Sequence, residues 1–302
     1  MSYKSLLIII LAGVSMMIAI TLLRNKTTKK NQYTIGILQT AAHPALDATV
    51  KGFIESLHEQ LGDTVEYEIQ NAQGSITQAH ALAQKLHIQK KYDLFFAVAT
   101  PAAQALKTQE HERPIIIAAV TDPKTVGLIE HNGNVCGVSD MIDVPGQIEF
   151  MLSLVPDAKT VGLLYTAGEP NSQVLVDLMQ QELKAKNLTP VLCALQSETD
   201  AQAAMELACR KCDVILAPTD NTVASTIALL ATIADQYQKP LIVSWLSDDI
   251  KEHKGVLAAR GVNYFEGGKQ AGTMAYQLLT QQTTAANLGI TTIDSQNTYI
   301  KP

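Results

Sequence analysis

The chain reads as an α/β protein built from two similar Rossmann-like lobes, and three observations predict this. Short apolar runs alternate with amphipathic stretches along most of its length, the pattern of right-handed βαβ units on a parallel sheet. The runs Leu94-Phe95-Phe96-Ala97-Val98 and Val214-Ile215-Leu216 are continuously apolar, as strands covered on both faces require. The series also occurs twice in the same style, strand, polar loop, long helix, strand, once over 33–142 and again over 143–260. A length of 302 residues suits two lobes better than one core.

The first lobe takes strands at 33–38, 65–69, 93–98, 114–118 and 135–138, with helices at 44–61, 75–89 and 101–108 between them. The second takes strands at 160–165, 189–194, 213–217, 240–244 and 255–260, with helices at 145–154, 170–186, 199–210 and 221–238. A last helix at 264–280 and a strand-like 297–301 follow, and the stretch from about 261 to 302 is expected to complete the first lobe. The helices carry one apolar stripe each: Val174, Leu175, Leu178 and Leu183 recur at helical spacing above Gln180, Glu182 and Lys184. Pro44, Pro101, Pro145 and Pro170 each stand in a first helical turn, where a missing N–H costs nothing. No linker rich in Gly, Ser or Pro separates the lobes, so short hinge strands are expected to join them.

Residues 6–23 are uncharged and mostly apolar, with Lys4 before them and Arg24, Lys26, Lys29 and Lys30 after. As a helix they would be about 27 Å long, roughly one hydrocarbon thickness. Met17 two positions before Ala19 makes a poor cleavage site, so an uncleaved anchor is favoured over a cleaved signal. A polar tether to residue 32 follows, and the body is expected outside the cytoplasm, held to the membrane by 6–23. The basic cluster after the span runs against that orientation, because Lys and Arg prefer the cytoplasmic side. No cysteine precedes Cys136, so no lipid-modified start is expected. A net charge of −6 argues against nucleic acid as a partner.

Cys209-Arg-Lys-Cys212 is a C-x-x-C at a helix end, whereas a redox site of that kind puts its first cysteine at a helix start. No second ligand pair lies near it for zinc, so structural thiols or a bridge are expected, and no metal or other cofactor. There is no phosphate-binding glycine loop and no nucleophile elbow, and only His43 among the histidines falls in a predicted cleft loop. An enzyme is not expected.

In open α/β sheets ligands meet the carboxyl ends of the strands. That rule selects the loops at 39–44, 100–101, 121–123, 168–172, 218–221 and 244–249. Thr100 and Thr219-Asp220-Asn221 each follow an apolar strand and begin a helix, where hydroxyl and backbone N–H groups suit a carboxylate; the same residues could merely cap those helices. Asp122, Asp140 and Asp220 stand at strand ends, where an acid could neutralise an ammonium group or cap a turn. Trp245 falls just after a strand, placed either to stack on a flat ligand or to pack between helices, and Tyr165 and Tyr264 share that choice.

Six segments in order resemble the ABC-transporter substrate-binding family that includes tryptophan- and tyrosine-type amino-acid receptors. They are Gln39-Thr40-Ala41-Ala42-His43-Pro44-Ala45-Leu46-Asp47, Ala99-Thr100-Pro101-Ala102-Ala103-Gln104-Ala105-Leu106, Ala118-Ala119-Val120-Thr121-Asp122-Pro123, Gly137-Val138-Ser139-Asp140, Pro218-Thr219-Asp220-Asn221-Thr222-Val223 and Gly261-Val262-Asn263-Tyr264. The resemblance implies a type I periplasmic-binding-protein fold with three crossovers, a small ligand enclosed between the lobes, and delivery to an ABC permease and its ATPase subunit. Carried over by motif, it implies contacts from Gln39, His43, Thr100, Thr121, Asp122 and Asp140, and from Glu169, Asn171, Ser172, Asp220 and Asn221. In that scheme the hydroxyls of Thr100, Thr121 and Ser172 receive a carboxylate, and Asp140 or Asp220 an ammonium. The chain departs from the family at Ser244-Trp245-Leu246-Ser247-Asp248-Asp249, which moves an acid to Asp248 or replaces it by the Trp245 wall. The resulting expectation is an extracytoplasmic solute receptor for an aromatic or other amino acid; the alternative is a membrane-tethered sensor with the same lobes and no transport.

Overall fold

The computed structural model describes residues 32–131, 133–293 and 296–302; the side chains of Asp248 and Gln296 lie outside that description. The expected apolar helix over 6–23 and most of its tether also lie outside the described residues. Among the described residues no helix is long and apolar enough to cross a membrane.

In chain order the elements are β1 (Tyr33–Gln39), α1 (Pro44–Leu61), β2 (Val65–Asn71), α2 (Ile76–Ile88), β3 (Leu94–Val98), α3 (Thr100–Gln109), β4 (Ile115–Val120), β5 (Val135–Ser139) and α4 (Val144–Leu154). Then come β6 (Thr160–Thr166), α5 (Pro170–Ala185), β7 (Thr189–Leu195), α6 (Ala201–Lys211), β8 (Val214–Ala217), α7 (Asn221–Ser225), α8 (Ile227–Gln236), β9 (Leu241–Val243) and β10 (Val256–Val262). The chain ends with α9 (Tyr264–Leu279), α10 (Ala285–Leu288), β11 (Ile290–Thr292) and β12 (Gln296–Ile300).

These strands form two six-stranded sheets, in the orders β11-β5-β4-β3-β1-β2 and β12-β10-β9-β8-β6-β7. The chain passes from the first sheet to the second after β5, returns after β10 to place α9 and β11, and passes again into β12. The stretch from 261 onward therefore does not all complete the first half. Its final strand pairs antiparallel with β10 in the second sheet, Ala258 opposite Ile300, while the other pairs are parallel. Another departure lies at Thr226, whose conformation (φ −102°, ψ 8°) divides the single helix expected over 221–238 into α7 and α8.

Both faces of each sheet are covered, as the apolar runs required. On β1 and β3, Ile35, Ile37, Phe96 and Val98 face one core while Leu38, Phe95 and Ala97 face the other with Ala79, Leu86 and Leu106. In the second half Val161, Leu163 and Tyr165 pack on Ile148, Leu175 and Met179, which makes Tyr165 a core residue. Cys193, Cys209 and Cys212 are buried free thiols between β7 and α6, and burial pushes all three thiols up, away from reactivity.

One contact in the first half decides where the site will be. Helices α1 and α9 approach so closely that a Cβ on Gly52 would lie 2.1 Å from the Phe265 carbonyl oxygen, and one on Gly268 2.1 Å from that of Thr49. Only glycine allows this approach, and it sets the N-termini of the two helices side by side. Gly268→Val is expected to force the helices apart at a cost of about 1–3 kcal/mol. A melting scan should register that as a drop of several degrees, and an unchanged melting temperature would contradict the packing argument.

Candidate functional site

Loops at the carboxyl ends of both sheets meet at a closed pocket of about 20 Å³ lined by residues of both halves. That is room for about one water molecule, so a ligand can enter only as the halves part. From the first half come His43, Ala45 and Leu46 at the start of α1 and Ala119 near the end of β4; from the second come Asn171, Thr219, Asp220, Asn221, Ala224 and Trp245. Asp140 and Tyr264 lie on the two crossovers that follow β5 and β10. A wider groove of about 350 Å³, shared by Thr40, Pro101, Thr166 and Glu169, also touches Asn221 and lies between the halves.

Each wall has a local reason for its shape. Ala99 (φ 74°) and Ala119 (φ 56°) take left-handed backbone conformations at the ends of β3 and β4, strain of the sort that collects at binding sites. The start of α1 is not capped by the His43 side chain, so the positive end of its dipole faces the cavity through Ala45 and Leu46. The start of α7 is already occupied. Glu169 accepts from the backbone N–H groups of Asn221 (3.1 Å) and Thr222 (3.0 Å), and Asp220 from that of Val223 (2.9 Å). The sequence-based expectation that backbone N–H groups at 218–221 are free for a ligand carboxylate is therefore corrected.

The acids differ sharply in what they have left to offer. Asp220 accepts from the Thr166 N–H (2.6 Å) and hydroxyl (2.8 Å) as well as from Val223, so both its oxygens are committed. Burial and then the Glu169 charge push its carboxyl up, against those hydrogen bonds. Asp140 accepts from the Tyr264 hydroxyl at 2.8 Å through Oδ2, while Oδ1 is buried with no partner among the described residues. Burial pushes its carboxyl above the usual range, offset in part by the Tyr264 hydrogen bond and the neighbouring Thr121 hydroxyl. A buried carboxylate oxygen without a partner is costly unless something fills the space beside it. Asp140, not Asp220, is the acid with capacity for a cation.

Two contacts bridge the parts. His43 Nε2 lies 3.4 Å from Asn221 Oδ1 across the halves, and Tyr264–Asp140 ties one crossover to the other. Asn221 is in turn held by its Nδ2, which donates to Glu169 at 2.6 Å. Glu169 thus sits behind the cavity as the brace that aims Asn221.

Of the residues expected from sequence, the structure gathers His43, Asp140, Asn171, Asp220, Asn221 and Trp245 around the cavity. Trp245 is buried there, and Tyr264 stands with it as a second aromatic lining residue. Thr100 and Ser172 are fully buried with unpartnered hydroxyls but do not line the cavity in this closed arrangement. Thr121 is buried and its carbonyl accepts from the Ser139 hydroxyl at 2.6 Å. Asp122 spends its carboxylate on a turn, accepting from the N–H groups of Lys124 (3.1 Å) and Thr125 (3.0 Å). Gln39 donates to the Ala41 carbonyl and to Asp47, each at 2.7 Å, beside a separate apolar groove that shares no lining residue with the cavity. Asp248 opens a short 3-10 helix (Asp248–Glu252), and His253 just after it places Nε2 3.2 Å from Asp249 Oδ2. Sequence reasoning did not settle Tyr264, although its place after Asn263 at a strand end was a usable signal. Ala119, Leu46 and Ala224 carried none, since small apolar side chains announce no chemistry.

A profile of the family described as ABC transporter substrate binding protein matches residues 34–301. A tyrosine-binding protein of Clostridioides difficile (strain R20291) is 33% identical over 282 residues, covering 91% of this chain and 80% of that protein. A solved ABC domain from Streptococcus pneumonia in complex with L-Trp superposes with a TM-score of 0.82 at 30% identity, over 88% of this chain and 91% of that one. A ligand-free, open substrate binding protein from Clostridium difficile reaches 0.66 at 32% identity, over 89% and 92%. At nearly equal identity and coverage, the halves of this chain match the L-Trp complex better than the open form, in keeping with the His43–Asn221 contact.

Proposed function

The chain belongs to the ABC transporter substrate binding protein family, and from that premise we propose that it is the extracytoplasmic receptor for an aromatic amino acid. It captures its ligand between the two halves and delivers it to a membrane permease powered by an ATPase subunit. The observation that carries the reading is the set of residues that both halves bring to this pocket, with the unpartnered Oδ1 of Asp140 at one crossover and the rings of Trp245 and Tyr264 on the lining. An ammonium group satisfies Asp140, the aromatic side chain fills the ring-lined part, and the carboxylate turns toward the uncapped start of α1. The names of the tyrosine-binding relative and of the L-Trp complex favour the same class of ligand. Residues 6–23 serve in this reading as the tether that keeps the receptor beside its importer.

Closure is a hinge motion whose free energy comes from the ligand touching both halves. Ligand present at a hundred times its dissociation constant stabilises the folded form by about 2.7 kcal/mol. L-tryptophan or L-tyrosine is therefore expected to raise the melting temperature by about 5 °C or more, with sugars and nucleosides leaving it unmoved. A panel in which no amino acid shifts the transition would remove the reading.

A further inference from the structure

Hydrogen-bond direction around the cavity fixes which of its polar atoms accept and which donate. The Glu169 carboxylate can only accept, so the amide facing its Oε2 at 2.6 Å is the NH₂ of Asn221. Asn221 Oδ1 therefore faces His43, and the His43 Nε2 lying 3.4 Å from it must carry the hydrogen. A neutral imidazole with its proton on Nε2 presents a bare lone pair at Nδ1. That atom is buried, in a residue lining the cavity, and has no partner among the described residues. The same logic holds for Asn171, whose Nδ2 faces the Glu169 carboxylate (3.4 Å) and the Thr219 carbonyl (3.3 Å), two acceptors. Its Oδ1 is then the atom left buried without a partner among the described residues. Asp140 Oδ1 is the third.

One atom belongs to the first half, one to the second and one to the crossover between them, and among the described residues none of the three has a hydrogen-bond donor. We propose, resting on the amino-acid reading above, that these three acceptors recognise the ligand's primary ammonium group, with His43 binding as the neutral imidazole. Because three N–H bonds of one group satisfy both halves and the hinge, the ammonium is the feature that closes the receptor. In the open form His43 is solvated and takes up a proton near the ordinary imidazole range. Ligand binding then expels that proton, since a protonated Nδ1 would point an N–H at an ammonium.

The groups that face His43 fit this assignment. Asp47 on its own helix, Glu169 ahead of α5 and Asp249 on the 3-10 helix favour the imidazolium, and Asp140 and Asp220 share the cavity. Burial outweighs the first three and lowers the imidazole below its usual range, so closure favours the neutral ring.

The test is calorimetric titration of the full-length protein with L-tryptophan at pH 6.5 in two buffers of different ionisation enthalpy. About half a proton should be released per ligand bound, and affinity should fall about tenfold between pH 7.5 and 5.5. His43→Gln should flatten that pH dependence. Proton uptake on binding, or affinity that rises toward acid, would mean that an imidazolium holds the carboxylate and would overturn the proposal. So would binding without proton exchange in the wild type, a result that needs no variant to fold. If neither L-tryptophan nor L-tyrosine binds at any pH, it is the amino-acid reading that fails.

Discussion

Asp140→Asn is expected to weaken binding of L-tryptophan or L-tyrosine by about a hundredfold or more while leaving the unliganded protein at least as stable. Removing one member of a buried, hydrogen-bonded charge pair typically costs 2–5 kcal/mol, which is the source of the hundredfold figure. The stability half follows from the sign of the shift. Asp140 is a carboxyl whose folded-state acidity is weakened by burial, so its charged form is disfavoured in the native state at neutral pH. Asparagine keeps the shape and the contact with the Tyr264 hydroxyl but carries no charge to desolvate. The folded receptor thus tolerates an unfavourable carboxylate that only the ligand compensates. Titration calorimetry paired with a melting scan reads both effects. Wild-type affinity in the variant would remove Asp140 from recognition; loss of affinity together with a large fall in melting temperature would make it a structural residue.

The second large effect is far from the cavity. Glu110, at the end of α3, is 2% exposed and lies at the centre of a ring of donors. Its oxygens accept from the N–H groups of Glu112 (2.9 Å) and Arg113 (2.9 Å), from Arg113 Nε (2.7 Å) and from His87 Nδ1 (3.0 Å). Arg113 continues the network to the carbonyls of Gln89 (2.7 Å) and His87 (2.6 Å) and stacks over Phe95 at 4.7 Å. Burial alone would push the Glu110 carboxyl up, but these hydrogen bonds outweigh it and hold the carboxyl at about 2. A carboxyl depressed from 4.5 to about 2 adds on the order of 3 kcal/mol to stability above pH 4.5, lost as pH falls from there through 2. Glu110→Gln should lose about that much at pH 7 in urea unfolding and depend less on pH between 5 and 2. Equal stabilities of variant and wild type at pH 7 would show that the network contributes nothing net.

The architecture was legible because its signals are local and repeated. Continuous apolar runs gave the strands, and prolines in first turns placed the helix starts, with α1 falling on the expected 44–61. The rule that ligands sit at the carboxyl ends of strands brought His43, Asp140, Asn171, Asp220, Asn221 and Trp245 to one cavity. What sequence could not separate was a polar residue that faces the ligand from one that serves the scaffold. Asp122, Asp140 and Asp220 look alike as acids at strand ends. Only the hydrogen bonds distinguish them: one closes a turn, one is saturated by Thr166 and Val223, and one has an oxygen to spare. Glu169, expected as a contact, holds Asn221 from behind the cavity and lines the wider groove. The pairing of β12 with the second sheet was hidden for a different reason, since strand partners far apart in sequence leave no mark on the residues between them.

A crystal structure of the full-length protein grown with L-tryptophan tests the central claim most directly. The account requires the amino acid to lie between the two halves, its nitrogen within hydrogen-bonding distance of Asp140 Oδ1 and its ring beside Trp245 or Tyr264. A ligand seated outside that cavity, or one whose nitrogen points away from Asp140, would contradict it.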